Sequence, residues 1–229
     1  MPTHGNALAI MTKAPVPGET KTRLAPPLSF EEAAELSEAL IRDQLQHLRD
    51  FTRAELFLAY TPFEAADYFA TLHPRDFSFV QRGTDLGDRM RNAFEELFSR
   101  SFHRVVLIGG DLPAIPLKNI FDAFEFLADD SSEVVLGPAM DGGYYLVGMN
   151  RLTEEIFSGI QWSRSDVLES TIRNLKSLNI RYKLVSSWYD VDTFDDLRRV
   201  EAEFAPVPAA AMNLTLRLLK KFREGGKLS

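Results

Sequence analysis

Apolar residues recur in this chain with two different periods. Short, nearly continuous apolar runs at 7–12, 55–60, 77–80, 104–109, 133–137, 144–149 and 182–186 predict strands. The clearest is 104–109, R-V-V-L-I-G, almost all β-branched or otherwise apolar, as a strand covered on both faces should be. Between the runs the spacing lengthens. Ala33, Leu36, Leu40, Leu45 and Leu48 fall near helical spacing, with Glu31, Glu35, Glu38 and Arg42 on the other side, which predicts a helix over 30–50. Further helices are expected at 63–72, from a turn marked by Gly83 and Gly87 to about residue 100, and at 116–128, 164–178 and 193–204. Ser29 with Glu32, and Thr193 with Asp196, have the spacing of capping boxes and mark two helix starts.

Alternating strands and helices imply an α/β fold with a mostly parallel sheet and helices on both faces. The close pair 133–137 and 144–149 points to a local antiparallel element. One domain is expected over 1–204. Residues 205–229 follow it as a linker, A-P-V-P at 205–208, and a basic amphipathic helix from Met212 to Arg223. That helix either packs on the domain or lies on a membrane surface.

Composition narrows the function. With 229 residues, 45% of them hydrophobic and 26% charged, the chain has ordinary globular makeup. A net charge of −7 argues against nucleic acid as a partner but allows a local cationic pocket for a small anion. No cysteine is present, which excludes disulfides, zinc-thiolate sites and thiol nucleophiles and fits a cytoplasmic protein. The four histidines, His4, His47, His73 and His103, lack metal-ligand spacing. No stretch approaches the roughly 18 apolar residues of a spanning helix, so no integral membrane contact is expected.

Candidate chemistry gathers after strands. The first strand leads into K-A-P-V-P-G-E-T-K-T-R-L, which carries Lys13, Lys21 and Arg23, and then into a helix. Strand, cationic loop and helix together suit phosphate; the alternative is a solvated crossover. The loop is neither a Walker A motif nor G-x-G-x-x-G. Asp111, after Gly109 and Gly110, stands where a carboxylate can hold a divalent cation or cap the next helix. Asp192 presents the same pair of alternatives at a later junction. Asp141-Gly142-Gly143 makes either a hairpin turn or contacts to a sugar or acceptor. Asp85 and Arg89 lie at a helix start that reads as a capped N-terminus at the site.

Five segments in order, K-A-P-V-P-G-E-T-K-T-R-L-A-P, Q-R-G-T-D-L-G-D-R-M, G-G-D-L-P, L-G-P-A-M-D-G-G-Y-Y-L-V-G and D-V-D-T-F-D-D-L, resemble the rSAM/selenodomain-associated transferases of type 1. The resemblance spans roughly residues 7–200. It implies the GT-A fold of nucleotide-diphospho-sugar transferases, a Rossmann-like three-layer α/β/α arrangement, with kinship to 2-phospholactate guanylyltransferases. By position it makes Lys13, Lys21 and Arg23 phosphate contacts; Asp85 and Arg89 are also expected on the nucleotide. Asp111 and Asp192 become ligands of Mg2+ or Mn2+, and Asp141, Gly142 and Gly143 face a small acceptor. Asp111, Lys21 and Asp141 are then the expected catalytic residues. The D-x-D of many sugar transferases appears here as Gly109-Gly110-Asp111, with only the last aspartate.

The leading expectation is a metal-dependent transferase with a nucleotide or nucleotide-sugar donor, moving a glycosyl group to a small acceptor. The alternatives are a nucleotidyltransferase that releases pyrophosphate and a non-catalytic nucleotide-binding module.

Overall fold

The computed structural model describes residues 5–129, 132–206 and 212–228. These residues group into two compact units. The first draws on 1–11, 51–109 and 116–189; the second draws on 12–50, 110–115 and 190–229.

The first unit is built on a sheet of seven strands: β1 (Asn6–Lys13), β2 (Glu55–Thr61), β3 (Ser78–Val80), β4 (Arg104–Gly109), β5 (Val134–Pro138), β6 (Tyr144–Met149) and β7 (Tyr182–Leu184). Their order is β3-β2-β1-β4-β6-β5-β7. β4 runs parallel to β1, β3 to β2 and β7 to β5, whereas β6 is antiparallel to both of its neighbours. The expected antiparallel element is therefore the β5–β6 pair, and β6 also separates β4 from β5.

The period of two along each strand divides the core. Ala7, Ala9, Phe57, Val105, Leu107, Val134, Leu136, Val147 and Met149 face one way, onto Met90, Phe94 and Leu97 of α3 (Leu86–Ser99) and Leu175 of α5 (Val167–Ser177). The alternate residues, among them Leu8, Ile10, Val106, Ile108 and Val135, are buried as well. On that face α4 (Leu117–Ala128) brings Leu127 so close to Gly148 that an added Cβ would lie 3.1 Å from Leu127 Cδ1. Both faces are covered, which is why these strands read as continuous apolar runs. A 3-10 turn at Phe63–Ala65 runs into the short α2 (Ala66–Ala70), in place of one helix over 63–72. Gly87 is a correction to the sequence reading. It lies inside α3, and an added Cβ there would meet the Trp162 ring at 2.5 Å.

The second unit holds α1 (Phe30–Leu48), α6 (Phe194–Phe204) and α7 (Asn213–Glu224). Both capping boxes form. Ser29 Oγ accepts from the Glu32 N–H while Glu32 Oε2 accepts from the Ser29 N–H, and Thr193 with Asp196 repeats the pattern. α1 buries Leu36, Leu40 and Leu48, and on the same stripe Asp43 and Gln44, with Leu45 only half-buried. The basic tail helix is part of this unit. Lys221 pairs with Glu35 at 3.3 Å, Lys227 with Glu32 at 2.6 Å, and Arg223 with Glu201. Its apolar side, Leu219 and Phe222, is buried. Of the linker expected at 205–208, residues 207 and 208 lie outside the described residues.

Candidate functional site

The residues that meet do so in the second unit. The loop after β1 folds on one carbonyl: Val16 O accepts from the Glu19 N–H (3.0 Å), the Thr20 N–H (3.2 Å) and Thr20 Oγ1 (3.2 Å). A 3-10 turn over Thr22–Leu24 follows, closed by the Leu24 N–H on Lys21 O at 2.9 Å, and Leu24 and Leu28 are buried as anchors. Between the two turns Lys21 adopts φ 50°, ψ 33°, a left-handed conformation unusual for a residue with a Cβ. The surrounding hydrogen bonds hold it there, so the side chain leaves the loop in a preset direction.

The ammonium of Lys21 ends between two carboxylates, 3.2 Å from Asp111 Oδ2 and 3.0 Å from Asp192 Oδ1. Its side chain is 3% exposed, whereas those of Asp111 and Asp192 are 52% and 45% exposed. Burial by itself lowers the Lys21 pKa, but the charges of Asp111 and then Asp192, with their hydrogen bonds, outweigh it and raise the pKa above the ordinary lysine value. Arg23 Nη1 lies 3.6 Å from Asp192 Oδ2, with 76% of the side chain exposed.

Backbone contacts fix both aspartates. The Val191 N–H, one residue before Asp192, donates to Asp111 O at 3.0 Å. The Asp192 N–H donates to Asp196 Oδ2 at 3.0 Å. Neither aspartate is a helix cap: α6 is capped by Thr193, and α4 follows Pro116 without a side-chain cap. Past Asp111, the Ala114 N–H donates to Met212 Sδ at 3.2 Å, and Ile115 O lies 2.7 Å from His47 Nε2. Asp43 accepts from the Leu214 and Thr215 N–H groups, at 3.1 and 2.8 Å, and so satisfies the start of α7. Its burial pushes the carboxyl pKa up against those hydrogen bonds. These supports are absent from the sequence reading. A charged residue on the apolar stripe of α1 was the available signal for Asp43; Met212 offered none.

Lys13 turns to its own loop, with Nζ 3.2 Å from Glu19 Oε2 and 3.2 Å from Glu19 O. The remaining sequence candidates belong to the first unit. Asp85 caps α3 by accepting the Asp88 N–H at 2.9 Å, and Arg89 Nε reaches Gly83 O at 3.5 Å. Asp141 Oδ1 accepts the Gly143 N–H at 2.9 Å. Gly142 has φ +92°, its carbonyl accepts from the Leu168 N–H at 2.9 Å, and an added Cβ would lie 1.9 Å from Ser165 O. The turn requires glycine at 142.

Among the described residues no group of three or more His, Asp or Glu side chains could hold a metal ion. Asp111 and Asp192 nonetheless fit a hard divalent cation that keeps several waters. The donors are all oxygen and the two half-exposed carboxylates are held together; Asp192 Oδ2 also lies 3.6 Å from Arg23 Nη1. Also among the described residues, no helix is long and apolar enough to cross a membrane.

The sequence profile of the family described as "uncharacterized protein conserved in bacteria (DUF2064)" matches residues 44–164. Among solved structures, the chain is similar to a protein of Desulfovibrio desulfuricans provisionally named a nucleotide-diphospho-sugar transferase. The identity is 30% and the TM-score 0.84, over 96% of this chain and 95% of that one. It shares its fold with a cytidylyltransferase of Leptospira borgpetersenii at 12% identity and TM-score 0.60, over 98% of this chain and 96% of that one. It also shares the fold of the Mycobacterium tuberculosis protein Rv0371c in complex with manganese, at 17% identity and TM-score 0.52, over 86% of this chain and 97% of that one. No curated protein matches the sequence.

Proposed function

The chain belongs to the DUF2064 family, and from the Asp111–Lys21–Asp192 cluster we propose that it is a metal-dependent transferase acting on a nucleotide-sugar donor. The observation that carries this reading is a buried ammonium holding two half-exposed carboxylates, with Arg23 of the same loop beside one of them. The Val191 N–H on Asp111 O brings the two segments together, and the ammonium between the carboxylates offsets their repulsion. Asp111 and Asp192 would hold Mg2+ or Mn2+ through carboxylate oxygens. When bound, such an ion neutralises charge building on a diphosphate leaving group. Arg23, exposed and next to Asp192, is placed to take phosphate oxygens with its planar fork. Lys21 holds the two carboxylates in position. Lys13, by clasping Glu19, keeps the loop in shape.

The 30% identity to a provisionally named nucleotide-diphospho-sugar transferase supports glycosyl transfer, in which an acceptor hydroxyl attacks the anomeric carbon and nucleoside diphosphate leaves. The Lys21/Arg23 spacing and the fold shared with a cytidylyltransferase favour a second reading, attack on the α-phosphorus of a triphosphate with loss of pyrophosphate. The co-product separates them. Incubation with Mn2+, candidate donors and acceptors from cell extract is expected to release nucleoside diphosphate without pyrophosphate. Pyrophosphate formed in step with triphosphate consumption would establish the second reading instead.

A further inference from the structure

We infer that Lys21 is the internal counter-ion of the Asp111–Asp192 pair and makes binding of a divalent cation conditional on a bound di- or triphosphate. The inference rests on the reading of this pair as the ion's ligands and adds the order in which charge must be assembled there.

Across the three ion pairs the charges balance, while Asp196 bonds the Asp192 N–H. Asp111 and Asp192 carry two negative charges, and Lys21 and Arg23 carry two positive ones within 3.0–3.6 Å of them. Lys21 is not a mobile surface cation that a metal ion can sweep aside. Its side chain is 3% exposed and its backbone is held at φ 50° between two hydrogen-bonded turns. With a carboxylate oxygen at 3.2 Å and another at 3.0 Å, its ammonium is held in place on both sides. A divalent cation arriving alone meets two carboxylates already neutralised, with a fixed positive charge behind them. A di- or triphosphate changes the balance. Held by Arg23 at the exposed side, it restores a net negative charge that a divalent cation can match. Phosphate and ion therefore each tighten the other's binding, as thermodynamic linkage requires of any such coupling.

The test titrates Mn2+ alone into wild type, Lys21→Gln and Lys21→Arg, following the free-ion signal by electron paramagnetic resonance. Wild type and Lys21→Arg are expected to bind weakly, and Lys21→Gln about tenfold more tightly, the scale set by one unit charge a few ångströms from a half-exposed site. A second measurement needs no variant: the affinity of wild type for a nucleoside diphosphate is expected to rise about tenfold when Mn2+ is added, with the solution complex of the two accounted for. Equal binding of Mn2+ by wild type and Lys21→Gln, or a nucleotide affinity indifferent to Mn2+, would overturn the counter-ion inference and leave the ion site standing. Failure of every form to bind Mn2+, with nucleotide or without, would overturn the inference and the metal reading of the site together.

Discussion

Two turns in this molecule look alike as sequence: Gly-Gly-Asp at 109–111 and Asp-Gly-Gly at 141–143, each after an apolar strand. Their carboxylates are used differently. Asp141 serves its own turn, accepting from the amide two residues on, and Gly142 is needed because Ser165 O leaves no room for a Cβ. Asp111 reaches out of its own turn. It caps no helix and faces Lys21, and through Lys21 it meets Asp192, which is 171 residues from the lysine in sequence. An aspartate that closes its own turn needs no ligand to explain it. Two aspartates from distant parts of the chain gathered on one buried ammonium are the observation on which the proposed site rests.

The comparison breaks most readily at Gly142. Replacement by alanine forces a Cβ onto a carbonyl oxygen at positive φ, and a loss of about 3 kcal/mol or more is expected in urea unfolding. Asp43→Ala should come next, at about 2 kcal/mol, because two amides at the start of α7 lose their acceptor. Asp43 also has a pH signature. Its folded pKa is raised, so its contribution is fully present below the unfolded value, about 3.9, and declines as pH rises through the folded pKa. Unfolding of wild type against Asp43→Asn across acid pH checks that direction.

Lys21→Met should cost about 1 kcal/mol at neutral pH, a modest figure because both partners are half-exposed and screened by solvent. The folded pKa of Lys21 is raised, so the advantage of wild type over this variant should be complete below the unfolded lysine value, about 10.4. It should vanish as pH rises through the folded pKa, which unfolding curves at alkaline pH can follow. Asp141→Asn should have the smallest effect, below about 0.5 kcal/mol, since an amide oxygen can accept the same bond, with nucleotide affinity unchanged. A large loss of nucleotide affinity there would erase the contrast between the two turns.

Most of the elements were legible because their signals are local. Runs of apolar residues marked the strands, and Ser29/Glu32 and Thr193/Asp196 announced two helix starts that the side chains then built. Strand order was not legible, since a doubly covered strand carries no label for its neighbour; the insertion of β6 between β4 and β5 is an example. In the candidate site, Lys21, Arg23, Asp111 and Asp192 could be named from position after strands and from family resemblance. Three features escaped. The left-handed backbone at Lys21 depends on hydrogen bonds to Val16 O, the Met212 thioether reaches the Ala114 amide across the chain, and Asp43 turns a helix's apolar stripe into a cap for another helix. Each is a contact between residues whose separation no spacing rule encodes. Gly87 failed for the opposite reason: a glycine that admits an indole against a helix looks, in sequence, like one that makes a turn.

The central claim is that phosphate and ion meet at Asp111, Asp192 and Arg23. The most direct test is calorimetric titration of a nucleoside diphosphate, with Mn2+ present, into wild type and into the double variant Asp111→Asn/Arg23→Ala. Loss of one ion ligand and one charge-assisted phosphate contact predicts binding weaker by about a hundredfold or more, in a protein whose unfolding midpoint has moved little. Equal affinity in the two proteins would contradict the account.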